Sequence, residues 1–123
     1  MKPSDRLRIA AKDERLTISQ TAYLQPTPDH DRYYACAIGA LMTTYAEPEL
    51  VIEMERRRGG WFRYVVKVLD HTLLENDYLC PLVHTLSCFP SKTYAPAFLI
   101  EHLFVVHNLS LETIADTIEP LGY

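Results

Sequence analysis

Nine consecutive residues, Tyr34-Ala-Cys-Ala-Ile-Gly-Ala-Leu-Met42, carry no charge. Read as a helix, they are apolar all round, and such a helix belongs inside a protein rather than on its surface. Ala35, Ala37, Gly39 and Ala40 keep the segment thin. Gly39 is the informative choice, because glycine inside a helix costs about 1 kcal/mol relative to alanine. A neighbouring backbone or a ligand is therefore expected to approach closely there. The stretch predicts a buried helix over about 31–45, capped by Asp29 or Asp31, around which other elements pack.

The 123 residues suit a single domain over 1–123, long enough to bury about two-thirds of its unfolded surface. The expected fold class is all-α, with five or six helices around the buried one. Ser4 predicts the cap of a first helix running to about Leu16. Gln25-Pro-Thr-Pro-Asp-His30 reads as a loop, since its prolines block both helix and strand. Glu47-Pro48 opens a helix that Gly59-Gly60 ends, and Trp61 to Leu73 repeats apolar residues at helical spacing. The alternative is α+β, with a hairpin at about 51–68, because Phe62, Tyr64, Val66 and Val68 also alternate. Asn76-Asp77 predicts the cap of a short helix ending near Cys88. Thr93 and Pro96 open another helix, and Ser110 caps the last.

The formal net charge of −4 argues against wholesale nucleic-acid binding. The charge is uneven, however. Arg56, Arg57, Arg58, Arg63 and Lys67 lie in a segment without acids, whereas Lys92 is the sole Lys or Arg after Lys67. No apolar run approaches the roughly 18–20 residues of a membrane span. The charged start Met1-Lys-Pro-Ser-Asp-Arg6 is not expected to be a signal peptide. Three cysteines without a framework spacing suit reduced thiols, so a cytoplasmic location is expected.

Cys80, His84 and Cys88 fall at i, i+4 and i+8, one face of a helix, and zinc takes this donor combination. His71 or His102 would be the fourth ligand. Zinc ligands are more often paired two to four residues apart, and buried cysteine is a common core residue. No metal and no other cofactor is expected on this reading. Cys36 lies too far into the expected helix for its thiol to be activated by the helix dipole. No carboxylate pair is marked out by an apolar setting, and no phosphate-cradling glycine loop is present. No catalytic residue is therefore expected. Leu109 to Ile118 is similar to the first helix of a helix-turn-helix, but Tyr123 stands where the recognition helix would begin.

Cys36-Ala-Ile-Gly-Ala-Leu41, with Asn108 and the Ser110-started helix, resembles small uncharacterised bacterial and phage proteins with a Cys-Ala-x-Gly-Ala-Leu helix. Leu109 stands where their pattern has aspartate. The resemblance implies a helical fold and no particular activity.

The aromatic residues exceed what one small core comfortably holds, and aromatic and arginine side chains are favoured interface anchors. A non-enzymatic protein–protein interaction or adaptor role is therefore expected, with self-association as a homodimer. Trp61, Phe62, Val66 and Leu74 are the expected interface residues. The alternative is a small module binding an anionic ligand, a nucleotide or nucleic acid, through Arg56, Arg57, Arg58, Arg63 and Lys67.

Overall fold

A cysteine, not an aspartate, starts the buried helix. In the computed structural model, which describes residues 1–58, 62–82 and 88–123, helix α2 spans Ala37–Met42. Cys36 is its N-cap, with the sulfur accepting the Gly39 amide at 3.5 Å. Asp29 and Asp31 are used elsewhere. The Asp29 carboxylate accepts from the Thr27 hydroxyl and the Asp31 amide, and His30 takes a left-handed φ of 61°. These bonds close a turn in which the Thr27 amide reaches the Arg32 carbonyl at 2.9 Å. The chain leaves that turn extended, and Tyr33–Ala35 forms a strand, β3.

The fold is therefore α+β and not all-α. Strands β1 (Leu16–Ile18) and β2 (Leu24–Pro26) flank β3 in the order β1-β3-β2. β1 runs parallel to β3 and β2 antiparallel, with Ile18 and Leu24 both opposite Ala35. A second, two-stranded sheet pairs β4 (Tyr78–Leu79) with β5 (Thr93–Tyr94). β4 lies where a short helix was expected. The hairpin alternative at 51–68 is also corrected: α3 covers Pro48–Arg57 and α4 covers Phe62–Asp70. Proline at the first helical position fixes the start of α3, as it does for α1 (Pro3–Ala11) and α5 (Pro96–Val105). Ser4 thus lies inside α1, buried, and does not cap it.

All six residues of α2 are buried, and it touches α1, α4, α5, β1 and β3. Leu7, Ile38, Leu41, Met42, Val51, Val65, Leu99, Ile100 and Leu103 are all 2% exposed or less, which makes α2 the axis of the core. The last helix, α6 (Leu111–Ile118), packs on α1. It begins as the sequence predicts, with the Ser110 hydroxyl accepting the Thr113 amide at 3.2 Å. Arg8 on α1 reaches Asp116 at 2.9 Å and Glu119 at 3.1 Å across the same contact. No described helix is long and apolar enough to cross a membrane.

Gly39 lies against the backbone just before β2. A Cβ there would sit 1.7 Å from the Tyr23 carbonyl oxygen, the same oxygen that accepts the Cys36 amide at 3.1 Å. Only a glycine lets sheet and helix meet at this point. Gly39→Ala is expected to destabilise the protein by about 2 kcal/mol or more, since main-chain overpacking outweighs the roughly 1 kcal/mol gain in helix propensity. Denaturant unfolding measures this. A neutral or stabilising result would mean the contact is easily relieved.

Candidate metal centre

The β4–β5 hairpin sets two cysteines facing one helix. Cys80 directly follows β4, and Cys88 lies on the return toward β5. From β5 the chain passes straight into α5, whose last turn carries His102. α5 then stops: Asn108 adopts a left-handed φ of 53°, and the Leu109 amide turns back to the Leu103 carbonyl at 3.2 Å. This reversal follows His107, whose ring stands edge-on to His102 with centroids 4.9 Å apart.

Four ligand atoms converge here. Those of Cys80, Cys88, His102 and His107 all lie within 4.8 Å of one another. Cys80 Sγ is 3.5 Å from His107 Nε2, Cys88 Sγ is 3.2 Å from His102 Nε2, and the two Nε2 atoms are 3.2 Å apart. A tetrahedral zinc with bonds of about 2.3 Å to sulfur and about 2.0 Å to nitrogen has edges of about 3.3–3.8 Å. These three separations are those of such a cage to within a few tenths of an ångström. Cys80, Cys88 and His102 are at most 6% exposed. Burial, reinforced by the neighbouring Cys88, pushes the Cys80 thiol above its ordinary value against the pull of the Leu82 amide. The Tyr94 ring stacks on His102 at 4.4 Å and fixes the plane of the imidazole.

The donor set differs from the one weighed in the sequence. Cys80 directly follows β4 and Cys88 lies in a bend, so neither is helical, and the stretch 83–87 between them lies outside the described residues. His102 belongs to the set, His71 sits at the surface 3.6 Å from Glu75, and His84 lies outside the described residues. His107 was missed. Its signal was legible in Cys80-x7-Cys88-x13-His102-x4-His107: the histidine spacing falls in the usual window, and the cysteine spacing does not.

The expected interface residues are largely used internally. Val66 is fully buried. Phe62 is half-buried, with its ring 5.7 Å from Phe98 and 6.2 Å from Tyr23. Leu74 packs against the core, and Trp61 lies outside the described residues. The basic residues divide into two groups. Arg56 and Arg57 both pair with Glu53 at 3.2 Å. Arg58, Arg63, Tyr64 and Lys67 instead line a shallow pocket of about 270 Å³.

Cys36 opens on a separate cleft of about 210 Å³ that also holds Tyr23, Phe62, Glu55 and Glu101. Burial pushes its thiol up, and among the described residues no histidine lines the cleft. Comparison with known protein families, curated proteins and solved structures gives no match.

Burial alone raises the carboxyl groups of Glu55 and Glu101 above their ordinary value. A raised acid binds its proton more tightly in the folded state than in the unfolded one. These two groups therefore oppose folding once pH exceeds their folded values, and the penalty fades as pH falls toward the unfolded value. Glu101→Gln is expected to raise the melting temperature at pH 8 and to change it little near pH 4. A pH series of thermal melts tests this, and an equal shift at both ends would contradict it.

Proposed function

We propose that this protein is a zinc-stapled, non-enzymatic binding module. The observation that carries the reading is the convergence of Cys80, Cys88, His102 and His107 within 4.8 Å. Two thiolates with two imidazoles suit zinc better than harder cations, which favour oxygen. Four protein donors complete the tetrahedron and leave no open position for a substrate, which supports a structural rather than a catalytic metal. The staple joins a hairpin of two-residue strands, too short to hold itself, to the end of α5. The free thiols such a site requires fit a reducing compartment, the cytoplasm.

The order strand, two cysteines, strand, helix, two histidines is that of small DNA-reading zinc fingers. The likeness does not extend to DNA. A reading helix needs an open face, whereas Ala97, Leu99, Ile100, Leu103 and Phe104 of α5 are all buried. The metal is proposed to brace a surface, and the domain's own core lies around α2.

Native mass spectrometry with metal analysis is expected to find one zinc per chain. Replacement by cobalt is expected to give the visible absorption of a tetrahedral thiolate site. Saturation at roughly a thousand times Kd adds about 4 kcal/mol to stability, on the order of 10 °C in Tm, and a chelator should remove it. Cys88→Ser and His107→Ala are expected to lose the metal, while His71→Ala keeps it. Absence of stoichiometric zinc or cobalt uptake, or equal loss in all three variants, would overturn the reading.

A further inference from the structure

Three cations of this acidic chain stand together without a carboxylate partner among the described residues. Arg58 lies over the Tyr64 ring with its guanidinium carbon 4.4 Å from the centroid, and Lys67 lines the same shallow pocket. Arg63 borders that pocket too, and its guanidinium carbon is 5.6 Å from the Phe98 centroid. Other arginines are held: Arg8 pairs with Asp116 and Glu119, Arg15 with Asp13, and Arg56 and Arg57 with Glu53, while Arg6 donates to the Thr44 carbonyl. Cations resting on aromatic faces keep their full charge for an incoming anion, while the ring holds them in place.

Arg63 also lines the neighbouring groove of about 540 Å³, a volume suited to a small organic ligand. The character of this groove differs. Its walls include Phe98, Leu74, Lys92 and the buried Tyr94, and its acids are Asp77 and Glu101. Asp77 accepts the Thr93 hydroxyl at 3.5 Å, and Lys92 Nζ is 5.2 Å from the Tyr94 centroid. Among the described residues the first compartment joins three cations to the Tyr64 ring; the second is aromatic with carboxylate acceptors, and one arginine borders both.

We infer that this double compartment binds a nucleoside phosphate, with the phosphate on Arg58, Arg63 and Lys67 and the base in the groove beside Phe98. Guanidinium forks match phosphate oxygens, and a carboxylate is the natural acceptor for the exocyclic amino group of a base such as cytosine. Apolar contact with Phe98 and Leu74, which line the groove, supplies the remainder. The inference rests on the zinc reading in one respect: the Lys92–Tyr94 wall belongs to the stapled hairpin, whereas the phosphate compartment belongs to α3 and α4. The ligand is either a free nucleotide or a residue of a single strand.

The test is titration of the full-length, zinc-loaded chain with cytidine monophosphate, ribose 5-phosphate and a single-stranded CACACA RNA. Zinc content is measured on the same samples, so a missing metal is read separately from a missing ligand. Cytidine monophosphate is expected to bind more tightly than ribose 5-phosphate. An RNA that binds more tightly still identifies a strand as the source, and equal affinity identifies a free nucleotide. Lys67→Gln and Arg58→Gln are each expected to weaken binding by roughly tenfold, and Arg57→Gln to leave it unchanged. For the strand, each lost cation should reduce the salt slope of log K by about 0.7. Ribose 5-phosphate binding as tightly as cytidine monophosphate would overturn the inference. So would equal losses in Arg57→Gln and Arg58→Gln, or no binding at low salt by zinc-loaded protein.

Discussion

The close meeting of Gly39 with the Tyr23 carbonyl governs this fold. α2 contributes six buried residues, and it must lie directly against the chain entering β2 for the Cys36 amide to reach Tyr23 at 3.1 Å. Once that contact is made, β3 is held between β1 and β2, and the far side of α2 is free to receive α1, α4 and α5. Interiors are packed too densely to accommodate an extra methyl against main chain. A small side chain at one position thus sets the distance between the sheet and the helices.

α5 connects that core to the candidate metal centre. Leu99, Ile100 and Leu103 fill the interior, while His102 faces the hairpin. A helix anchored by its apolar residues is a rigid base for a ligand, and tight metal geometry needs such rigidity. The hairpin has the opposite character, with short strands and little core of its own. The division explains why a metal would be useful at this corner and superfluous around α2. It also leaves the groove beside Phe98 with one wall from the core and one from the β4–β5 hairpin.

Some of this was legible in the chain. The buried run at 37–42, the close approach at Gly39, the Pro48 and Pro96 helix starts and the Ser110 cap follow from local chemistry, and the structure contains them. The strands were not legible. β1, β2 and β3 are three residues each and carry no periodicity long enough to recognise. Asp29 and Asp31 are good helix caps in isolation, but here they close the turn before β3. The surplus of aromatic residues suggested an exposed interface because internal edge-to-face packing such as Phe62 with Phe98 depends on helices distant in sequence. Similarly, the basic run reads as one patch, yet Glu53 neutralises part of it through helical i+3 and i+4 neighbours.

The sequence by itself determined which segment must be buried, where the proline- and serine-started helices begin, and which residues are chemically able to hold zinc. Those properties depend on composition and on neighbours within a few positions. Only the tertiary structure decided that Cys80 and Cys88 meet His102 and His107, and that Arg63 borders both a cationic pocket and an aromatic groove. Both outcomes require residues far apart in the chain to be brought within a few ångströms. That proximity is set by how helices and strands pack around α2, and no local pattern encodes it.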